Sequence, residues 1–125
     1  SVASSAYVER FVFNLIQEGH YLRHLRRLKS RVQEAYNTTF SQLEEIGLKV
    51  RQSTIPGFYL WAEFPETVNE LEMCQAASKE RIFIAPGSVF SPNRKTRNLP
   101  AMRVNIANGS DPRFIDFLTR FLKNQ

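Results

Sequence analysis

The stretch Met102-Arg103-Val104-Asn105-Ile106-Ala107 alternates apolar and polar side chains, which is the pattern of a half-buried β-strand. Met102, Val104 and Ile106 are predicted to face a core, and Arg103 and Asn105 the other side of a sheet. An arginine in mid-strand presents a planar fork of donors that matches a carboxylate or a phosphate. Arg103 is therefore a candidate ligand contact. The alternative is an ordinary pair with a neighbouring acidic residue, or a guanidinium lying along the sheet in water.

Helical periodicity runs through the sequence up to Ile46. The spacing of apolar residues predicts one helix from Ser5 to Gln17, ended by Gly19, and a second from His20 to Ile46, ended by Gly47. The second would be about 27 residues long, or roughly 40 Å. A helix of that length exceeds what the rest of the chain can cover, so we expect one end to project or to serve another domain.

After Gly47 the period changes to two, which indicates strands at 48–51, 58–64 and 82–85 besides the one at 102–107. A helix is predicted at 69–81 with Leu71, Cys74, Ala77 and Ser78 turned inward. The segment 86–90 is predicted as a turn and 91–97 as a basic loop. A last helix begins after a cap at Ser110 or Asp111.

The expected fold is therefore α+β: a small, largely antiparallel sheet with helices on one face, preceded by a long helix. Residues 1–125 are expected to form a single domain, divided into a helical segment, residues 1–46, and a sheet segment, residues 47–125. The strand pattern places Phe58, Leu60, Ala62 and Phe64 on the core face. Candidates for the opposite face are Tyr59, Trp61, Phe83, Arg103 and Asn105.

Composition limits the functions that fit. The chain has 125 residues, a net charge of +5 and one cysteine, so it should fold without a disulfide, with Cys74 as a small core residue. No apolar run reaches the roughly twenty residues of a membrane span, and we expect a soluble, cytoplasmic protein. His20 and His24 stand at i and i+4, but no third ligand lies near, and no metal site is predicted.

Four phrases give the chain a family resemblance: residues 19–28 (GHYLRHLRRL), 56–61 (PGFYLW), 84–90 (IAPGSVF) and 102–105 (MRVN). In this order the chain resembles the carboxyl-terminal small domain of fold type I pyridoxal-phosphate enzymes, the aminotransferase fold. The first phrase looks most like the MocR branch of the GntR family of transcriptional regulators. Members of that branch join a winged helix-turn-helix head to an aminotransferase-like body.

The resemblance implies roles for several residues. The arginine matching Arg103 clamps the carboxylate of an amino acid or related amino compound, and Pro86, Gly87 and Phe90 match the segment near the mouth of the cleft. Pyridoxal 5'-phosphate would be held by a large domain of the same parent protein, and that domain would also carry the catalytic lysine. The parent protein is expected to be a homodimer. This chain would then be an inactive fragment that contributes no catalytic, cofactor-binding or metal-binding residue. DNA would be bound by the absent head.

Two other functions fit some features of the sequence. One is a fragment of a metabolic class I/II aminotransferase, which would share the fold and the arginine. The other is a small basic nucleic-acid-binding or docking module, with Tyr59, Trp61 and Phe83 stacking on bases and the basic residues 23–31 holding phosphates. Its order of elements does not match an RNA-recognition sheet, which needs βαββαβ.

Overall fold

The computed structural model describes residues 5–52, 57–90 and 99–125. Two units make up the chain, Ser1–Arg31 and Val32–Gln125. Helix α1, Ser5–Glu45, is continuous, so the predicted break at Gly19 was wrong. One glycine in the interior of a helix costs only about 1 kcal/mol, and the hydrogen-bonded helical turns on either side of it offset that cost. Gly47, with φ of 97°, follows the end of the helix as predicted.

In the unit Ser1–Arg31 the apolar side chains of the helix are exposed within this chain. They recur at helical spacing and range from 41% to 69% accessible: Tyr7, Val8, Phe11, Val12, Phe13, Leu15, Ile16, Tyr21, Leu22, Leu25 and Leu28. None of the helices in the described ranges combines the length and apolar character needed to cross a bilayer.

The unit Val32–Gln125 is built on a four-stranded sheet. Its strands are β1 (Lys49–Gln52), β2 (Tyr59–Glu63), β3 (Ala85–Pro86) and β4 (Ala101–Asn105), in the spatial order β1-β2-β4-β3. Every neighbouring pair is antiparallel, which confirms the predicted sheet. The strand that carries Arg103 lies inside the sheet, between β2 and β3.

Four further helices follow the strands: α2 (Glu70–Lys79), α3 (Gly87–Phe90), α4 (Ile106–Gly109) and α5 (Pro112–Lys123). Three of them begin at residues whose side-chain oxygens accept a hydrogen bond from a backbone N–H of the first turn: Asn69, Asn105 and Asp111. These short polar side chains satisfy donors that have no partner within the helix. Asp111 is one of the two caps that the sequence predicted for the last helix.

One face of the sheet forms the core. Leu60, Ala62, Met102 and Val104 are at most 3% accessible and belong to one buried cluster with side chains from three helices, namely Tyr36 and Leu43 of α1, Met73 and Ala77 of α2, and Phe114, Phe117 and Leu118 of α5. The alternation of β2 and β4 thus decides which side chains are buried. The fold is α+β with its helices on one face, as predicted.

Several local predictions were wrong. Phe58 precedes β2 and is 58% accessible, and Phe83 precedes β3 and is 79% accessible, so neither lies on a strand. The third strand is Ala85–Pro86, shorter and later than 82–85. Segment 86–90 contains helix α3 instead of an open turn. In α2 the buried residues are Met73 and Ala77, whereas Leu71 is 67% accessible.

Candidate functional site

The second face of the sheet carries the polar and aromatic side chains that the alternation predicted. In the register of β2 and β4, Tyr59 lies opposite Asn105 and Trp61 lies opposite Arg103. The side chains of each pair are therefore neighbours on the same face of the sheet. Arg103 is half-buried and is also the register partner of Ala85 in β3. The fold therefore holds this guanidinium on the face opposite the helical core.

Two aromatic rings enclose the guanidinium of Arg103. Its Cζ atom lies 4.3 Å from the ring centroid of Tyr59 and 4.0 Å from that of Phe90. Phe90 reaches this position as the last residue of α3. Each such cation–π contact contributes about 0.5–2 kcal/mol, depending on its exposure. The two rings restrict the rotation of the side chain, and the N–H bonds of a guanidinium lie in its own plane.

The acidic side chains near Arg103 are engaged elsewhere. Glu63 lies 3.6 Å from Arg51 of β1, and Glu70 accepts hydrogen bonds from two backbone N–H groups. Within residues 5–52, 57–90 and 99–125, Arg103 forms no ion pair with an acidic residue. The described residues therefore do not show the ordinary alternative, in which the guanidinium pairs with a neighbouring carboxylate.

A cleft of about 150 Å³ opens beside Arg103. Its walls combine aromatic rings, two amides and the arginine: Tyr59, Phe83, Ile84, Ala85, Met102, Arg103, Val104, Asn105, Asn108 and Phe114. Sites for small ligands combine apolar walls with a few polar groups, as this cleft does, and usually enclose about 300–1,000 Å³. Phe83, although it lies outside the strands, still borders this cleft.

The three residues that the resemblance placed at the cleft mouth lie beside Arg103 but do not line this cleft. Pro86 pairs with Met102 in the sheet, Gly87 is buried at the start of α3, and Phe90 contacts the guanidinium. Their role in ligand binding stays a prediction. The predicted loop 91–97 lies outside the described residues, as does Pro56 of the predicted turn.

Sequence reasoning missed Glu70, the first residue of α2. Its Oε1 accepts a hydrogen bond from the N–H of Ser88 at 3.2 Å, and its Oε2 accepts one from the N–H of Ala101 at 3.0 Å. In the sequence, an acidic residue directly after the N-cap Asn69 indicates only a favourable interaction with the helix dipole. No local pattern reveals partners this far along the chain.

Other titratable groups lie away from Arg103. Hydrogen bonds from Arg120 lower the pKa of the Glu80 carboxyl, and hydrogen bonds from Arg113 lower that of Asp111. Burial, and then the charge of Glu70, raise the pKa of the Cys74 thiol, whose Sγ lies 3.5 Å from the carbonyl of Ile84. A raised pKa disfavours the thiolate, which fits a packing role for this cysteine.

The two histidines of α1 are exposed. His20 Nδ1 lies 3.1 Å from Nη2 of Arg23, one turn further along the helix. In the described regions of the chain, no three histidine, cysteine or acidic side chains gather in a way that could hold a metal ion.

The fold defines a class of protein. The small four-stranded antiparallel sheet with helices on one face, preceded by a long helix, is an aminotransferase-like fold. A solved structure described as a crystal structure of Pyrococcus protein A1 superposes on 86% of this chain with a TM-score of 0.57. Sequence identity is 19% and the match covers 27% of that protein, so the likeness shows the fold.

Two curated proteins of Escherichia coli strain K12 are similar in sequence. The uncharacterized HTH-type transcriptional regulator YjiR is 34% identical over 94 residues, and the uncharacterized HTH-type transcriptional regulator YdcR is 28% identical over 96 residues. The matches cover 74% and 73% of this chain but 20% of each regulator. No protein-family model matches the chain. Its relatives are thus transcriptional regulators, and its fold is aminotransferase-like.

Proposed function

We propose that this chain is the carboxyl-terminal small domain of an aminotransferase-like transcriptional regulator of the GntR family, MocR type, and that Arg103 binds the carboxylate of its amino-acid ligand. The chain spans one fifth of the length of its regulator relatives, which fits a domain of a longer cytoplasmic protein. The names of both relatives support regulation over metabolic transamination. DNA would then be bound by a separate winged-helix domain of a parent that forms a homodimer.

The observation that carries the proposal is the enclosed guanidinium. The guanidinium of Arg103 lies over the rings of Tyr59 and Phe90 at 4.3 and 4.0 Å, borders a cleft, and forms no ion pair within the described residues. A carboxylate in the plane of the guanidinium would accept two parallel hydrogen bonds, each contributing about 1.5–3 kcal/mol. Since the rings already restrict the side chain, little further ordering is needed on binding.

The walls of this cleft do not by themselves fit covalent capture of pyridoxal 5'-phosphate. The described residues that line it include no lysine, and a lysine amine is the group that forms a Schiff base with this cofactor. We therefore assign the cofactor to the large domain of the parent. This chain contributes a wall of the site, orients the ligand by its carboxylate, and shields that contact from water with Tyr59 and Phe90.

A nucleic-acid-binding role has less support. Tyr59, which would have to stack on a base, already has its ring against Arg103 at 4.3 Å. Stacking on a base would require the guanidinium to leave that ring face. Phe83 is exposed but does not lie on the sheet, so of the three aromatic residues predicted to stack on bases, two, Tyr59 and Trp61, lie on a strand.

The test is the substitution Arg103→Lys in the parent protein. The panel of standard L-amino acids is screened by the change in cofactor absorbance, and the best binder is compared with its decarboxylated amine. Lysine keeps the charge but loses the planar fork, so we expect the amino acid to bind roughly 10- to 100-fold more weakly. Affinity for the amine, which has no carboxylate, should stay as in the unmodified protein.

Arg51→Lys is a matched control. In the sheet register Arg51 lies opposite Trp61, and Trp61 lies opposite Arg103, so the two arginines belong to the same cross-strand row. Arg51 differs in that it lies on the edge strand, beside Glu63. Its substitution should leave both affinities unchanged. Equal affinity of Arg103→Lys and unmodified protein for the amino acid would refute the carboxylate role.

A further inference from the structure

We propose that Glu70 is a positioning residue for Arg103: its carboxylate joins the strand that carries the arginine to the short helix that carries Phe90. The effect on ligand affinity rests on the function proposed above, whereas the effect on the two linked segments does not. Glu70 lies on α2 and does not line the cleft, and within the described residues its carboxylate bonds to Ser88 and Ala101 and not to the guanidinium. It would act only through the elements that it links.

The first link is to β4. Phe64 donates its N–H to the carbonyl of Pro100, and Ile106 donates to Phe58, so the even-numbered residues of this strand bond to β2. The N–H of Ala101 therefore points away from β2, toward the side where β3 has already ended at Pro86. Glu70 Oε2 accepts that N–H at 3.0 Å.

Ala101 is fully buried, so water cannot readily replace this acceptor. A buried N–H without a partner is costly, and a charged acceptor gives one of the stronger hydrogen bonds. Ala101 lies two residues before Arg103, on the same face of β4. Fixing Ala101 therefore fixes the start of the strand segment from which the arginine projects.

The second link is to α3. Glu70 Oε1 accepts the N–H of Ser88 at 3.2 Å, and Ser88 belongs to the same single helical turn as Phe90. A helix of four residues has few internal hydrogen bonds and little stability of its own. An external anchor at its start therefore restricts where its last residue, the ring that covers Arg103, can lie.

The two links have a joint consequence. One carboxylate holds two segments that meet at the guanidinium, and so sets the distance between Phe90 and Arg103. When Glu70 is replaced, α3 can move away from β4, the guanidinium gains rotational freedom, and a carboxylate ligand must order it on binding. We expect weaker binding of carboxylate ligands without loss of the core, because the side chain of Glu70 does not belong to the buried cluster.

The experiment compares Glu70→Ala and Glu70→Gln with Glu72→Gln in the parent protein. Glu72 lies in the same first helical turn and is exposed, so its variant controls for charge at the start of α2. Hydrogen–deuterium exchange at single-amide resolution is read at Ser88 and Ala101. We expect both amides to exchange about 10-fold faster or more in Glu70→Ala. In Glu70→Gln, which keeps one acceptor oxygen, one of them should stay protected.

The second readout is affinity for the best-binding L-amino acid and for its decarboxylated amine. We expect roughly 5- to 10-fold weaker binding of the amino acid to Glu70→Ala, a smaller loss for Glu70→Gln, and no change for the amine or for Glu72→Gln. Unchanged exchange at both amides would overturn the proposal. The proposal would also be overturned if Glu70→Ala exchanged faster at these amides but bound the amino acid with unchanged affinity, while Arg103→Lys bound it more weakly. An inert Arg103→Lys would instead refute the proposed function, while the exchange data would still decide whether Glu70 holds both segments.

Discussion

Gly109 offers a sharp test of the packing that supports the site. It is buried at the end of α4, and a Cβ atom added to it would lie 2.8 Å from Cγ1 of Val104 and 2.9 Å from Cγ2 of Thr39. Carbon atoms do not approach so closely without a shift. Val104 belongs to β4 and Thr39 is 2% accessible, so neither side chain has free space into which it can move.

The substitution Gly109→Ala should therefore destabilise the protein. Overpacking a close-packed core costs typically about 1–3 kcal/mol, against a gain of about 0.5–1 kcal/mol from replacing glycine in a helix. The difference is a net loss of about 0–2.5 kcal/mol, and we expect roughly 1–2 kcal/mol because the contacting side chains have little room to move. For a chain of this size that lowers the melting temperature by roughly 4–10 °C.

The assay is thermal and urea unfolding followed by circular dichroism. Gly19→Ala is the matched control, because a Cβ there meets nothing within 4 Å, and this variant should be as stable as the original or slightly more so. Adding Thr39→Ser to Gly109→Ala removes the methyl group at 2.9 Å and should recover some of the loss, which a double-mutant cycle measures. If Gly109→Ala proves as stable as Gly19→Ala, the described packing around α4 is wrong.

Two further predictions concern titratable groups. Nη2 of Arg120 lies 2.6 Å from Oε1 of Glu80, and hydrogen bonds from Arg120 lower the pKa of the Glu80 carboxyl in the folded state. The pair therefore stabilises the fold at pH values above the ordinary pKa of glutamate. This stabilisation is lost as the pH falls through the lowered pKa. Arg120→Gln should therefore lower the urea midpoint at about pH 7, and this loss should shrink as the pH falls through the lowered pKa of Glu80; a loss that does not change with pH would contradict this. Burial raises the pKa of the Cys74 thiol, so at about pH 8 iodoacetamide should alkylate the native protein several-fold more slowly than the urea-unfolded protein. Equal rates would show that the thiol is not protected.

Much of the fold could be predicted because β2 and β4 alternate cleanly. Their period of two placed Leu60, Ala62, Met102 and Val104 in the core and Arg103 on the opposite face, since a strand side chain has only two directions available. The helix cap Asp111 was equally readable, because the capping side chain and its N–H partner are neighbours in sequence.

The errors arose where tertiary packing outweighs local preference. Gly19 indicated a helix end, yet the helix continues through it, because the cost of one glycine is small beside the hydrogen bonds on either side. Short apolar runs such as the one containing Phe83 fit strand and loop alike. The enclosure of Arg103 by Phe90 and the links made by Glu70 join segments distant in sequence, and a single sequence carries no signal for such contacts.

The outer strands of the sheet bear on how the protein behaves in a crowded solution. β3 has two residues, one of which, Pro86, has no N–H to offer a neighbouring chain. The opposite border, β1, presents Lys49 and Arg51, whose charges repel a second copy brought alongside. Both borders of the sheet therefore discourage strand-to-strand pairing between molecules.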